Sequence, residues 1–389
     1  MFWQIIPKFV LLMQPTITFN PNIITWAIQR AGYDFDEFAD QKFPKIRAWL
    51  DQSKQPTVRQ LEEFSHKVHI PFGYLFLNEP PLETTPIPFF RTGNTRTNKV
   101  SLNVYDTILL LQRRQEWLSD YLTTEGNPSL AFIGKYPIGA DPKIVAADMR
   151  QELGLSEDWA MQHPTWERAK SYLHQQIEEL GVIISLNGVV NNNNTRKISV
   201  EECRGFVLVD PIAPFMFVNN NDGKAAQMFT IAHELAHIWL GQSAGFDFRQ
   251  MMPADDPLEK TCNQIAAEFL VPEALFLDIW PKTTDFRKIS HIFKVSPIVA
   301  ARRALDLGCI NKTTFFAYYN AYQQSFIQKR QNISGGGDFY ATQKSRLGLP
   351  FVGHLNQALK EGKILYRDAY RLTSLKGNSY QNFIQHQSL

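Results

Sequence analysis

The sequence is poor in cysteine, in unbalanced charge and in long apolar runs, and each shortage removes a class of protein. Only three cysteines occur among 389 residues, Cys203, Cys262 and Cys309, and they are not clustered. That number excludes a cysteine-built zinc site and fits a reducing cytosol. The formal net charge is +2. No acidic or basic tail is present, so no whole-chain field argues for nucleic acid or a membrane surface. The apolar opening, Met1 to Met13, lacks a basic leader and carries Pro7 and Lys8 in its middle. It is neither a signal peptide nor long enough to span a bilayer. Met13 is the expected native start, which makes residues 1–12 a non-native or disordered extension. There is no P-loop, no Gly-rich dinucleotide fingerprint and no internal repeat. The expected location is cytoplasmic, with no membrane partner.

What the chain does have is apolar residues, at 44% of the total, enough to bury more than one core. Its most informative stretch is Met228-Phe-Thr-Ile-Ala-His-Glu-Leu-Ala-His-Ile-Trp-Leu240. The apolar run reads as a helix, and His233-Glu234-x-x-His237 lies inside it. Histidines four apart project from one helix face. Two imidazoles so held can grip one metal ion, and the intervening Glu can reach a water beside it. A His-Glu-His cluster in so apolar a helix is costly to bury without a cation. The other histidines, His66, His69, His163, His174, His291, His354 and His386, lack metal spacing and read as ordinary surface or core residues.

A catalytic zinc takes three protein ligands and keeps one position open. Downstream lies Asp256-Pro-Leu-Glu-Lys-Thr-Cys-Asn-Gln-Ile-Ala-Ala-Glu-Phe-Leu-Val-Pro272. Asp256 is a good N-cap, Pro257 a good first helical residue, and Pro272 a stop. Glu259 and Asn263 sit four apart on one face of that helix. Glu259 can supply the third ligand, and Asn263 can orient a metal-bound imidazole. A first-turn Glu is also what the helix dipole favours; the upstream motif selects the ligand reading.

At this point the chain resembles a family. His233-Glu234-Leu-Ala-His237 followed by Glu259-x-x-x-Asn263-x-x-Ala-Ala-x-Phe-Leu-x-Pro272 is similar to the ImmA/IrrE bacterial metallopeptidases. Gly205-Phe-Val-Leu-Val-Asp210, Phe217-Val-Asn219, Phe229-Thr230 and Gly335-Gly-Gly-Asp-Phe-Tyr340 fit the same pattern. Together they span most of residues 140–385. Cys262 stands where Ala is usual, and Val271 occupies a Leu/Met position. The resemblance implies a zinc endopeptidase of the gluzincin type, with one Zn²⁺ per chain. His233, His237 and Glu259 would be its ligands and Glu234 its catalytic base. The implied substrate is a helix-turn-helix repressor or antitoxin, cleaved to derepress a stress, prophage or phage-defence operon. The alternative is a non-catalytic DNA-binding regulator or toxin–antitoxin component whose metal lobe is structural or sensory. The oxyanion partner is not fixed by the sequence; Tyr340, His354 and Arg303 are candidates.

The expected fold is mainly α with a small antiparallel β-sheet, an α+β architecture. It comprises an N-terminal helix-turn-helix bundle and a gluzincin-like metallopeptidase domain. Residues 13–80 read as five short helices and resemble a Cro/C1-type helix-turn-helix domain. Residues 13–90 carry seven basic and nine acidic side chains, net −2, without the basic footprint of an autonomous duplex binder. Lys42, Lys45, Arg47 and Lys54 lie near the candidate recognition helix. DNA contact, protein docking and homodimerisation all remain open for this domain. Pro80-Pro81 to Pro88 marks a boundary. Residues 81–140 are expected as linker and spacer helix, 141–331 as the metallopeptidase and 332–389 as a C-terminal helical region. Arg113-Arg114 on the spacer helix reads as a solvated face. Gly181–Leu186, Gly205–Asp210 and Pro214–Asn219 read as strands, and 189–195 as a turn. The edge of 214–218 is a candidate for pairing with substrate. Lys282–Gln331, net +7, reads as helix, turn and helix with a basic outer face. Ile333–Asp338 reads as a flexible hinge.

Overall fold

The computed structural model describes residues 19–83, 87, 89–91, 95–96, 100–246, 256–329 and 338–387. The expected start at Met13, the extension before it and most of the Ile333–Asp338 hinge lie outside the described residues. So does the turn of the Gly335–Tyr340 pattern. The chain divides into two compact units, Met1–Thr84 and Thr85–Leu389.

Among its described residues the first unit holds five helical segments around an aromatic core. Asn20 accepts from the Asn22 N–H and Pro21 opens the helix Pro21–Arg30. Phe35–Glu37 runs into a wide turn, Phe38–Lys42, and Ile46–Leu50 follows. Thr57 and Gln60 form a reciprocal capping box that starts Val58–Lys67. The fifth segment, Phe72–Phe76, is a tight three-residue-per-turn helix entered through Pro71. Phe43, Trp49 and Phe64 meet edge to face at the centre. Such pairs add about 0.5–1.5 kcal/mol each beyond their burial.

Among its described residues the second unit has eight strands: β1 (Phe89–Arg91), β2 (Thr95–Arg96), β3 (Ile183–Asn187), β4 (Val189–Val190), β5 (Asn193–Lys197), β6 (Gly205–Leu208), β7 (Phe215–Asn219) and β8 (Ala244–Phe246). The main sheet runs in the order β2-β1-β8-β6-β7-β3, and β4 pairs with β5 separately. The expected class holds: the unit is mainly helical with a small sheet. The sheet is mixed, however, and not purely antiparallel. β6 is antiparallel to β7 and β8, whereas β3 is parallel to β7 and β1 parallel to β8. Long-range parallel neighbours leave no hairpin signal in sequence.

Both sheet faces are covered, which explains strands buried at every position. Ile184, Leu186, Val207, Met216 and Val218 face one core, shared with helices Pro142–Glu152, Trp166–Glu179, Lys224–Trp239 and Pro257–Leu270. Ile183, Phe206, Leu208, Phe215 and Phe217 face the other. There they meet helix Leu102–Thr124 and the C-terminal helices, through Ile108, Leu111, Leu118, Phe351 and Leu355. The arrangement is three layers, with the sheet in the middle.

Several expectations change on this frame. The spacer helix, Leu102–Thr124, is part of the second core. Its Gln115 amide donates to the Leu208 and Ala213 carbonyls at 2.7 and 2.9 Å. Arg114 is buried, not solvated, and donates to the carbonyls of Leu372 and Arg346. Burial, aided by Arg113, lowers its pKa to about 9. Residues 189–197 form the β4–β5 pair rather than a plain turn. Asn191, at φ 53°, supplies the left-handed corner that asparagine tolerates. β7 lies between β6 and β3, so 214–218 is no edge for a substrate. The helix–turn–helix at Phe286–Phe293 and Pro297–Asp306 is present. Its basic outer face loses Arg303, which turns inward to pair with Glu268 and donates to the Val271 carbonyl.

Gln115→Met should destabilise the second unit by about 1–3 kcal/mol, because two buried carbonyls lose their donor. Denaturant unfolding checks this; an unchanged midpoint would mean that the helix is not integral to the core.

Candidate metal centre

Two helices on the same face of the sheet build the site. Lys224–Trp239 crosses the interior, with nearly every residue from Gln227 onward buried. Pro257–Leu270 begins as the sequence suggests: Asp256 accepts from the Leu258 and Glu259 N–H groups, and Pro257 stands at the first position. Its apolar stripe, Leu258, Cys262, Ile265, Ala266 and Phe269, packs into the core. That packing brings Glu259 over the two histidines.

The three groups converge closely. His233 Nε2 lies 3.1 Å from His237 Nε2 and 3.1 Å from Glu259 Oε2. His237 Nε2 lies 3.3 Å from Glu259 Oε1. Among the described residues, His233, His237 and Glu259 are the cluster with metal-ligand geometry. His233 Nδ1 lies 3.1 Å from Asn263 Oδ1. An amide oxygen only accepts, so Nδ1 carries the proton and Nε2 presents its lone pair to the cluster. His237 Nδ1 has no such partner among the described residues.

Would a metal ion fit? Ligand atoms about 2.0–2.1 Å from a tetrahedral ion are about 3.3 Å from one another. The imidazole–imidazole separation of 3.1 Å is close to such an edge, and each imidazole nitrogen lies 3.1 or 3.3 Å from one of the two Glu259 oxygens. Three acceptors at such spacing in a dry interior repel one another unless a cation or protons intervene. The residues present therefore fit a single ion.

The electrostatics agree. Burial pushes the Glu259 carboxyl up, but the two imidazoles outweigh it and hold it at about 2. Burial lowers the His233 pKa against the pull of Glu259, so its imidazole stays neutral and able to ligate. Glu234 is the opposite case. Burial first, and then the Glu259 charge, raise its pKa well above the ordinary carboxylate value. Both its oxygens are buried without a hydrogen-bond partner among the described residues. An acid so placed has an unsatisfied appetite for a proton donor. Burial, with Glu259, Glu234 and Asp256 behind it, pushes the Cys262 thiol up, so it acts as a packing residue.

Sequence reasoning missed Gly205. A Cβ there would fall 2.5 Å from Thr230 Cγ2 and 3.0 Å from both Glu234 Oε1 and the Phe217 carbonyl. The first residue of β6 is therefore bare so that the sheet can lie against Glu234. An isolated glycine opening an apolar strand was the available signal. The oxyanion candidates fare differently. Tyr340 stacks on His386, and Tyr340 and the helix bearing His354 pack on the opposite face of the sheet. Arg303 is held by Glu268. Of the candidate contact residues in the first unit, Arg47 is engaged by Asp36 and Asp40, and the Lys42 ammonium sits over the Tyr33 ring. Lys45 and Lys54 are exposed.

Comparison with known families matches residues 191–305 to the IrrE N-terminal-like domain, a peptidase family. Residues 347–386 match a domain of unknown function, DUF8813. No curated protein and no solved structure matches the chain. The first match supports the ImmA/IrrE resemblance and spans both helices of the site.

Gly205→Ala should cost about 1–3 kcal/mol through overpacking, and Thr230→Ser, which removes the nearer clashing methyl, should recover part of it. Thermal unfolding of the two single variants and the double variant measures this coupling; additive effects would deny the contact.

Proposed function

We propose that the chain is a zinc-dependent endopeptidase of the ImmA/IrrE type. Its substrate would be a helix-turn-helix repressor or antitoxin, cleaved to derepress a stress, prophage or phage-defence operon. The observation that carries the reading is the His233, His237 and Glu259 convergence, with a buried, unpartnered Glu234 on the same helix, within a segment that matches a peptidase family.

In this reading His233, His237 and Glu259 hold the ion, and Asn263 fixes the His233 ring. A divalent ion held there supplies Lewis acidity toward the scissile carbonyl and lowers the pKa of water. Glu234 takes the proton from the attacking water and returns it to the leaving amine. Gly205 lets β6 approach Glu234 without covering it with a side chain. A purely structural metal lobe needs no Glu234, whose buried carboxylate would then be a cost without return. Among the described residues no helix is long and apolar enough to cross a membrane. In the first unit, Lys42, Lys45, Arg47 and Lys54 stay candidates for DNA or protein contact that would bring the peptidase to its target.

Glu234→Gln is close to isosteric and should keep zinc content and thermal stability. Cleavage of a helix-turn-helix repressor that the parent chain cuts should fall by about 10²–10⁴-fold, the share of a general base. Atomic emission and a gel-based cleavage assay give the two readouts; unchanged cleavage by the variant would sink the mechanism.

A further inference from the structure

The two imidazoles of the site are held in different ways. His233 is oriented through its ring, whose Nδ1 lies 3.1 Å from Asn263 Oδ1. His237 Nδ1 has no hydrogen-bond partner among the described residues. Its place along the chain is also the weaker one. Helix Lys224–Trp239 ends two residues beyond it, and the last turn of a helix frays because its carbonyls lack partners within the helix. A metal ligand placed there needs its backbone held from outside.

Three consecutive carbonyls show what holds it. The Gln242 N–H donates to the His237 carbonyl and the Gly241 N–H to the Ile238 carbonyl, each at 3.0 Å. This is a Schellman turn, and Gly241 at φ 68° supplies its left-handed corner. The remaining bonds come from a distant segment, residues 130–136. The Gly134 N–H donates to the Ile238 carbonyl at 3.0 Å, and the Tyr136 N–H to the Trp239 carbonyl at 3.1 Å. The segment lies so close that a Cβ on Gly241 would fall 2.9 Å from Gly134 Cα. Side chains close the same contact. Phe132 stacks on Trp239, with ring centroids 4.6 Å apart. Trp239 Nε1 donates to Asp148 Oδ2 at 2.9 Å, and the Lys135 ammonium donates to Asp148 Oδ1 at 2.6 Å. The start of the segment is tied down by the Leu130 N–H, which donates to the Pro211 carbonyl at 2.8 Å. Asp148 belongs to helix Pro142–Glu152, and so does Arg150, which donates to the Glu268 and Phe269 carbonyls near the end of the helix bearing Glu259. The segment and the Glu259 helix thus share one support.

We propose that residues 130–136 are a positioning strap for His237. Gly134, Tyr136 and the latch of Lys135, Asp148 and Trp239 hold the final turn of the helix. Through that backbone they set where the His237 imidazole meets His233 and Glu259. Asn263 does for one imidazole with a side chain what the strap does for the other with main chain. Gly241 is bare because a Cβ would drive the strap off the helix, and Gly134 takes φ 65°, which glycine adopts freely. The inference rests on the reading of the site as a peptidase metal centre and adds the residues that shape it from outside.

The test compares the full-length parent chain with Gly241→Asn, Asp148→Ala and Gln115→Met. Asparagine tolerates the left-handed corner but brings a Cβ against Gly134. Asp148→Ala removes the acceptor shared by Lys135 and Trp239, and decides the question if Gly241→Asn does not fold. Gln115→Met lowers stability from the opposite face of the sheet and leaves the strap alone. The readouts are zinc affinity, by competition with a chromophoric chelator, and visible absorption of the cobalt-substituted protein, which reports ligand geometry. Both strap variants should bind zinc about 10–100-fold more weakly than the parent, the cost of losing the support behind a metal ligand, and their cobalt bands should shift. Gln115→Met should match the parent in both. Parental affinity and spectrum in the folded strap variants, or an equal loss in Gln115→Met, overturns the strap. A parent that takes up neither metal overturns the strap and the metal centre together. These readouts need no cleavage. If they come out as expected while the parent cuts no helix-turn-helix repressor, the strap stands and the peptidase reading fails.

Discussion

Everything in the second unit turns on three electron-rich side chains forced together in its buried interior. Two imidazole nitrogens and a carboxylate stand 3.1 to 3.3 Å apart, with His233 and Glu259 wholly buried. A protein interior does not tolerate such a group without compensation, because each acceptor has lost its hydration and faces another acceptor. A cation would supply the compensation, and would turn the cluster from a liability into a link between two consecutive helices. Binding energy at the site would then be folding energy for this layer of the unit.

The layers explain why the site is dry. A sheet covered on both faces gives strands that are apolar throughout, and the helix bearing His233 and His237 lies against one of those faces with almost no polar surface of its own. Glu234 belongs to that helix, so it is buried by the same packing. Burial, and then the Glu259 charge, raise its pKa.

What the sequence revealed and what it hid follow from distance along the chain. The Asp256–Pro257 start, the Glu259–Asn263 spacing and the Thr57–Gln60 box are local signals, and each carries its own physical cause within four residues. The pairing of His233 with His237, four apart on one helix face, was legible for the same reason. Strand partnership was not, since the β3–β7 and β1–β8 pairings join remote segments in parallel. Nor was the burial of Arg114 and Arg303. A basic residue on a helix reads as solvated until the carbonyls of Leu372 and Arg346, or the carboxylate of Glu268, are seen to receive it. The importance of Gly205 was hidden because it depends on a contact with Glu234, on another element, that only the packed fold creates.

Metal content and coordination at His233, His237 and Glu259 are the most direct test. Zinc-edge X-ray absorption on the purified full-length protein reads the ligand set directly. The account predicts one zinc per chain, bound by two imidazole nitrogens and oxygen, with no sulfur. A protein that takes up no metal, or a spectrum with a sulfur shell, would contradict it.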